Sequence, residues 1–407
     1  MNVDELVRDT LREAAADTVS VPAGFADRVL AGRRRRRTRR IVVTAGLTAA
    51  VVAVAVAVPL LDGEDEAQPA SRMNNSDIIA HADQSPPKDL IAAGDSVLAA
   101  FYVSKTVKQD NGDTLRTPTY GLLNQKTGKY EKTRKWAFLD VAPGSRTAAV
   151  LEQELPAKRI GLLDLITGKV DRWIPVDHGV GGVAFSPDGK KLVATTYSQN
   201  PDRYSLDHPQ IVNGKKQPGP VDSRTGFSVV DLASGKSDWS EVPLPKDEFG
   251  WPAVNAREDF EWSHDGSLVY THLMSKPFRQ YYDLKGDETA APANEKHLTY
   301  PEAGLSPDGK LAAGDFAGDG KEISVAVDDA MTGKRVTKLP AQQLLAWADN
   351  KRLIAWGCDP KKCSGKGEFR NQLLLVTIGT NKVVPLSDFR KASDDYPGRW
   401  NPIFSTR

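Results

Sequence analysis

A short turn motif recurs along the chain after residue 89, and it constrains the fold more than any other feature. Its clearest copies read AFSPDGKKLVAT at 184–195, EWSHDGSLVYTH at 261–272 and GLSPDGKLAAGD at 304–315. Proline presets φ in such a turn, aspartate bonds the local backbone and glycine takes a positive φ, which predicts a β-hairpin. The residues assigned to these turns are Ser186, Pro187, Asp188, Gly189, Ser263, Asp265, Gly266, Ser306, Pro307, Asp308 and Gly309.

A second glycine-centred hairpin follows each copy of the turn motif. It reads IGLLDLITGKVDRW at 160–173 and FSVVDLASGKSDW at 227–239. Weaker copies of the first motif, the turn motif, lie at 90–101, 140–151 and 345–356. Two successive hairpins predict four short antiparallel strands per unit. The glycines of the second pattern are Gly128, Gly168, Gly235, Gly286, Gly333 and Gly379.

The spacing of the units identifies the fold class. The period is 45 residues from Gly144 to Gly189 and 43 residues from Gly266 to Gly309. Four strands in about 40–45 residues is the size of one β-propeller blade, whereas a β-sandwich predicts no shared period. We therefore predict an all-β domain at 89–407 with six blades, seven being the alternative count. The longer gap before Gly266 predicts an inserted polar loop at 197–226.

The FSPDGK element at 185–190 and LSPDGK at 305–310 resemble the repeats of WD40-like and TolB-like β-propellers of exported bacterial proteins. That resemblance implies a propeller fold, although the Trp-Asp dipeptide of eukaryotic WD40 repeats is missing. Either the C-terminal residues 399–407 or the strand-like residues 77–80 could supply a strand that closes the ring and removes its open sheet edges. Propellers host enzymes, receptors and scaffolds alike, so the fold does not fix the function.

An uncharged segment at 41–61 predicts one transmembrane helix. At 1.5 Å per residue it spans roughly 30 Å, the thickness of the hydrocarbon core. Arginines crowd 33–40 before it and acidic residues begin at Asp62 after it, so the N-terminus is predicted in the cytoplasm and the propeller outside. A polar linker is predicted at 62–88.

A cleaved export signal is the alternative interpretation of the same segment. Residues 38–42 resemble the start of a twin-arginine signal, and the small residues 55–57 offer a cleavage site. The preceding 40 residues and the long apolar run are atypical of such signals. Both interpretations export residues 62–407.

Residues 1–40 are predicted to form a short helical cytoplasmic arm. They carry a net charge of +4, while the whole chain carries +1. The arm resembles the cytoplasmic arms of actinobacterial membrane anti-sigma factors, which implies a sigma factor as its partner. Residues 1–61 lack His and Cys, so the zinc motif of many such domains is missing. The alternative is a juxtamembrane segment lying on anionic lipid. A near-neutral whole chain excludes a globally basic nucleic-acid binder.

Catalytic motifs are absent from the sequence, so no catalytic, cofactor or metal site is predicted. The sequence contains no Gly-x-Ser-x-Gly nucleophile motif and no His-Glu-x-x-His zinc motif. Cys358 and Cys363 are separated by the four residues Asp-Pro-Lys-Lys, and an exported location favours their oxidation to a disulfide.

Three functions therefore compete. We expect a non-catalytic binding module that holds a protein or ligand on its propeller face, with a transmembrane regulator as the second hypothesis. The third is a propeller enzyme such as a lyase or glycosidase, which needs carboxylates or histidines that converge on the central channel. Two local clusters are candidates for that role: Glu258, Asp259 and Glu261, and Asp202, Arg203 and His208.

Overall fold

The computed structural model describes residues 77–242, 244, 257–319, 323–363, 370–390 and 399–407. These residues form β-strands joined by turns and loops, with no helix among them. None of the described residues therefore belongs to a helix that could span a membrane. The predicted helical arm at 1–40 and the predicted span at 41–61 lie outside the described residues, and both stay predictions.

The described strands are short, and they follow one another in antiparallel pairs. In chain order they are β1 (Ile78–Ile79), β2 (Ala92–Ala93), β3 (Ser96–Lys108), β4 (Thr114–Asn124), β5 (Lys129–Thr133), β6 (Trp136–Val141), β7 (Thr147–Glu152), β8 (Ala157–Asp164), β9 (Lys169–Phe185), β10 (Lys191–Tyr197), β11 (Arg203–Val212), β12 (Lys215–Pro220), β13 (Arg224–Asp231), β14 (Ser237–Glu241), β15 (Glu261–Trp262), β16 (Val269–His272), β17 (Arg279–Tyr282), β18 (Glu288–Thr289), β19 (Leu311–Phe316), β20 (Val325–Asp329), β21 (Arg335–Leu339), β22 (Gln343–Trp347), β23 (Arg352–Gly357), β24 (Gln372–Thr377), β25 (Val383–Pro385) and β26 (Trp400–Thr406).

The pairing divides most of these strands into consecutive groups. Group 1 has the order β26-β3-β4-β5, group 2 contains β6, β7, β8 and the first half of β9, and group 3 contains the second half of β9 with β10, β13 and β14. Group 4 is β15-β16-β17-β18, and group 6 is β22-β23-β24-β25. Group 5 is β19-β20-β21, and a bridge from Leu305 to Ala312 supplies its first strand position.

Strand β9 connects two groups without a turn. Residues 169–175 pair with β8, and residues 180–185 pair with β10. The last strand of group 2 thus runs directly into the first strand of group 3. This connection places successive groups side by side, as the predicted repeat requires.

The C-terminal strand β26 joins the first group. It pairs antiparallel with β3 from Trp400 opposite Val103 to Thr406 opposite Ser96. Of the two closing strands considered from the sequence, the C-terminal one therefore fills this position. Residues 78–79 pair with β2 instead, and His81 bridges to Ser387, so the sheet begins within the segment predicted as a linker at 62–88.

The insertion between β10 and β13 is a β-hairpin and not the loop predicted at 197–226. Its strands β11 and β12 meet at Asn213 and Gly214, both with positive φ. An Asn-Gly pair favours this tight hairpin turn, and the sequence analysis did not use that signal. The start of β11 also pairs with Thr114 and Leu115 of β4, so the insertion extends the sheet of group 1.

Buried side chains join five of the six neighbouring pairs of groups in the described part of the chain. One hydrophobic cluster combines Leu98 and Trp400 of group 1 with Leu345, Ile354 and Leu373 of group 6. Comparable clusters join groups 1 and 2, groups 2 and 3, groups 3 and 4, and groups 5 and 6. Each fully buried aliphatic or aromatic side chain contributes about 1.5–3 kcal/mol, so these interfaces hold the sheets together. The last group packs on the first, as in a closed ring.

Candidate functional site

A cavity of about 820 Å³ lies between the first strands of four groups. Its wall contains residues 403–406 of β26, 137–141 of β6, 183–185 of β9 and 260–262 around β15. First strands that converge on one space are what a propeller places around its axis. The described residues therefore form a propeller-like all-β domain with a cavity lined by its first four groups.

One end of the cavity is formed by the repeated turns. The Ser186 hydroxyl donates to Asp188 Oδ1 at 2.6 Å and accepts from the backbone N–H of Lys191 at 2.9 Å. The same two bonds recur at Ser263, with distances of 2.8 and 3.0 Å, and at Ser306, with distances of 2.7 and 3.0 Å. The corresponding glycines have φ of 68°, 70° and 70°.

The turns also contact one another in sequence order. Pro143 Cδ lies 3.6 Å from where Gly189 would carry a Cβ, and Pro187 Cδ lies 3.2 Å from the same point on Gly266. His264 lies 3.9 Å from that point on Gly309. The backbone N–H of Asp308 donates to Asn350 Oδ1 at 2.9 Å.

The C-terminal strand completes this series of contacts. Asp95 N donates to Ala348 O at 2.8 Å, and Arg407 N donates to Asp95 O at 2.9 Å. Gly144 N then donates to Thr406 O at 2.9 Å. The contacts pass through all six copies of the turn motif and return to the start. The turn residues are thus structural, although Ser186, Pro187 and Ser263 also reach the cavity wall.

Hydrogen bonds inside the turns lower the pKa values of the turn aspartates. The Ser186 hydroxyl and the N–H of Lys190 lower the pKa of Asp188. The Ser306 hydroxyl is the largest of the causes that lower the pKa of Asp308. Both aspartates are therefore held ionised as hydrogen-bond acceptors in their own turns.

A buried ion cluster centred on Arg257 lies at the other end of β15. Arg257 Nη1 is 2.5 Å from Asp202 Oδ2, its Nε is 3.2 Å from Asp259 Oδ2, and its Nη2 donates to Gly181 O at 2.6 Å. The Tyr197 hydroxyl donates to Asp259 Oδ1 at 2.8 Å. Between 13% and 21% of each of the three charged side chains is exposed, so solvent screens these pairs little.

Burial and charge oppose each other within the Arg257 cluster. Burial raises the pKa of Asp202, although Arg257 opposes that shift. Burial also disfavours the Arg257 cation. The negative charges of Asp259 and Asp202 outweigh this effect of burial and raise the pKa of the guanidinium. Gly182 makes room for the cluster, because a Cβ there would lie 2.3 Å from Asp259 Cγ. The cluster therefore depends on one cation that compensates two carboxylates.

Asp140 and Glu261 are carboxylates on the cavity wall at equivalent positions of the repeat. Each is the first residue of its copy of the turn motif, and Ala184 is the first residue of the copy between them in the chain. Asp140 Oδ2 accepts the N–H of Phe185 at 2.8 Å, and Glu261 accepts the hydroxyl of Tyr270. Burial raises the pKa of Asp140 to about 6 against its backbone hydrogen bonds, and the nearby Glu261 adds to the rise.

His272 completes this part of the wall. Burial lowers the pKa of His272, with Glu261 opposing the shift and Arg279 reinforcing it. Its ring lies 5.4 Å from that of Tyr270 and 6.3 Å from that of Tyr300. Among the residues that the structure describes, His272 Nε2 has no hydrogen-bond partner although it is buried. A neutral imidazole with an unused nitrogen can accept a hydrogen bond from a ligand.

The structure keeps one of the two clusters considered from the sequence together and divides the other. Asp202 and the trio Glu258, Asp259 and Glu261 line the cavity. Arg203 begins β11, and its Nη1 lies 3.6 Å from Oδ2 of Asp113, which immediately precedes β4. His208 is exposed on β11.

Arg257, Asp140 and His272 were not among the residues predicted from the sequence. Aligning the turn motifs on their serine position would have found Asp140, because it shares a register position with Glu261. Arg257 adjoins a predicted acidic cluster, but its role depends on the distant Asp202 and Gly181. His272 lies at the end of the motif copy at 261–272, where periodicity alone gives no sign of a cavity.

The cysteine pair lies apart from the cavity wall. Cys358 and Cys363 follow β23, are joined as a disulfide and have Cα atoms 6.1 Å apart. Within the described ranges, no group of three or more His, Cys, Asp or Glu side chains could hold a metal ion.

Comparison with known proteins gives likeness in structure only. No protein-family model matches the chain, and no curated protein matches it. TolB from Acinetobacter baumannii is 16% identical with a TM-score of 0.39, covering 78% of this chain and 68% of TolB. The β-propeller domain of Cps50 (Swd1) from Myceliophteria thermophila is 12% identical with a TM-score of 0.35, covering 76% and 87%. Hydrazine synthase from Kuenenia stuttgartiensis is 17% identical with a TM-score of 0.33, covering 63% and 68%.

TolB and a β-propeller domain are thus among the solved structures that resemble the chain, as its turn motif predicts. The similarity is low in each case. The propeller-like fold is therefore assigned from the strand order and the converging first strands of this chain.

Proposed function

We propose that this chain is a six-bladed β-propeller that acts as a non-catalytic binding module, with the cavity as its ligand site. The cavity carries the proposal, because about 820 Å³ is enough for a small ligand or a peptide side chain. Its wall combines aromatic side chains with a few charged groups, which is the usual composition of a specific site.

Six blades are supported by the contacts around the ring. Each group has a turn of the same motif, and these turns meet successively from residue 95 to residue 350 and back through β26. Group 6 packs on group 1 through a shared hydrophobic cluster. A seventh blade would need a further hairpin pair, and the extra residues before β13 are used by the β11–β12 insertion.

A panel of ligands tests the binding function. The full chain is screened by thermal shift against amines, carboxylic acids, sugars and short peptides, in parallel with Ala184→Trp, which fills the cavity. At least one class should raise the melting temperature of the wild type and leave Ala184→Trp unchanged. Lys216→Trp on the exposed insertion is the matched control and should respond like the wild type.

The same panel distinguishes binding from catalysis. Mass spectrometry after incubation should recover every bound compound chemically unchanged. Turnover of a sugar, ester or peptide that is lost in Ala184→Trp would replace the binding module with a propeller enzyme. Ligand shifts that are identical in Ala184→Trp would remove the cavity from the proposal.

The proposal places the propeller outside the cell membrane, on the strength of the uncharged segment at 41–61 and its arginine-rich flank. The full chain should remain in the membrane pellet after alkaline carbonate extraction, whereas residues 62–407 alone should not. A mature N-terminus near residue 58 would instead identify the segment as a cleaved signal.

A further inference from the structure

The cavity wall has an excess of negative charge. Two of its carboxylates, Asp202 and Asp259, share the cation Arg257. Arg116 is the other guanidinium of the wall, so five carboxylates face two fixed cations. The carboxylates are Asp140, Asp202, Glu258, Asp259 and Glu261.

Asp140 and Glu261 lie outside the Arg257 cluster. Among the described residues, no salt bridge reaches either carboxylate. Asp140 faces two backbone N–H groups and Glu261. The charged and titratable groups near Glu261 are Asp140, Tyr270, His272, Arg279 and Glu302, and burial together with Glu261 raises the pKa of Glu302 to about 7. Asp140 is half-buried and Glu261 is exposed at the cavity wall. Two neighbouring carboxylates repel each other, and a cation placed between them removes that repulsion.

Aromatic rings and an unused acceptor accompany these carboxylates. Rings face the cavity from several strands, and cation–π contact or packing of an aliphatic stem suits such a wall. These rings belong to Tyr102, Tyr120, Phe138, Phe185, Trp262 and Phe404. His272 Nε2 adds a buried acceptor that no described residue uses. An N–H donor on the ligand would satisfy it.

We infer that the cavity binds an organic cation, an ammonium or guanidinium group on an aliphatic stem, held between Asp140 and Glu261 beside His272. This inference rests on the proposed binding function. The cation can be a free amine or the basic side chain of a partner's peptide, and both present the same chemistry to the wall.

The affinity should depend on pH in a defined direction. The cation favours ionised Asp140, whose pKa in the free protein is about 6. Binding should therefore strengthen as pH rises from 5 to 7.5, by about tenfold for one carboxylate that must lose its proton. A ligand of the opposite charge would show the reverse dependence.

Calorimetric titration of the full chain tests the inference. Agmatine and cadaverine represent the free amines, acetyl-Gly-Lys-Gly-amide represents the peptide side chain, and glutarate is the anionic control. At least one cation should bind and glutarate should not. Asp140→Asn and Glu261→Gln should each weaken binding about tenfold or more, since each removes a charged partner. Asp238→Asn, an exposed aspartate on β14, should change nothing.

The outcomes separate this inference from the function on which it rests. Binding of the peptide alone would identify a partner's basic side chain, and binding of the free amines alone would identify a small amine. Binding of glutarate, or cation affinity equal in Asp140→Asn, Glu261→Gln and wild type, would overturn the inference. If a neutral or anionic ligand bound the wild type and its binding were lost only in Ala184→Trp, the binding function would stand and the inference that the ligand is a cation would be wrong. Circular dichroism and melting curves confirm that each variant is folded.

Discussion

The two ends of the cavity are built in different ways. The turn end repeats one local design, in which Ser186, Ser263 and Ser306 each bond an aspartate two residues later and an N–H five residues later. The Arg257 end is assembled once, from residues 55 and 76 positions apart in the chain. Local repetition gives the ring its stable frame, and the distant contacts make one part of the cavity unlike the rest.

The largest expected effect comes from removing the cation of the Arg257 end. Arg257→Met leaves Asp202 and Asp259 partly buried without their cation, so the free energy of unfolding should fall by about 3–5 kcal/mol. Urea denaturation measures this loss. Arg159→Met is the control, because its pair with Glu152 is 49% and 44% exposed at the two side chains and should cost less than about 1 kcal/mol. Equal losses of unfolding free energy in the two variants would show that the ion pairs of Arg257 stabilise the protein no more than an exposed pair does.

The pH dependence of stability should differ in sign between the cavity wall and the turns. The pKa of Asp140 rises from 3.8 to about 6 on folding, so the folded chain holds a proton that the unfolded chain has released. Its stabilisation is present below pH 3.8 and is lost as pH rises through 6. Asp188 and Asp308 have lowered pKa values, so their contribution is present above pH 3.8 and is lost in acid.

Asp140→Asn isolates the contribution of the cavity wall. The amide can still accept the N–H of Phe185 but does not titrate, so the wild type should lose about 2 kcal/mol relative to the variant between pH 4 and 7.5. Urea denaturation at several pH values provides the difference. Parallel curves for the two proteins would place Asp140 in an ordinary aqueous environment.

The turns should lose a smaller and uniform amount of stability. Ser186→Ala, Ser263→Ala and Ser306→Ala each remove the same two hydrogen bonds at a buried serine, so each should cost about 1–2 kcal/mol. The three sites lie in different groups, so the losses should add in the triple variant. Thermal and urea denaturation measure both points. A loss confined to one of the three variants would show that the turns are not equivalent.

The smallest effect is expected at the tip of the insertion. Ile211 is 70% exposed, so Ile211→Thr should change the free energy of unfolding by less than about 0.5 kcal/mol. A loss above 1 kcal/mol in urea denaturation would mean that the tip is covered in solution.

Sequence patterns predicted the regular part of the molecule well and the irregular part poorly. The Ser-Pro-Asp-Gly motif determines its own turn within six residues, so its position and spacing indicated the repeated hairpins. Asp202 and Arg257 meet only because the folded insertion and the start of β15 share one end of the cavity. No local pattern encodes that meeting.

The positions of the cavity carboxylates could be predicted from the sequence, but their pKa values could not. Asp140 and Glu261 occupy one register position of the repeat, so aligned motifs place both on the first strands that face the axis. The elevated pKa of Asp140 follows from burial and from the nearby charge of Glu261, and neither is visible in the sequence. The insertion hairpin was missed for a simpler reason, since its Asn213-Gly214 turn lies within a polar segment that resembled a loop.

The most direct test of the central claim is the calorimetric titration, at pH 7.5, of whichever of agmatine, cadaverine and acetyl-Gly-Lys-Gly-amide binds the wild type most tightly, into the full chain and into Ala184→Trp. The wild type should bind one equivalent, and the variant with the filled cavity should show no binding heat. Equal binding by both proteins would show that the cavity is not the ligand site.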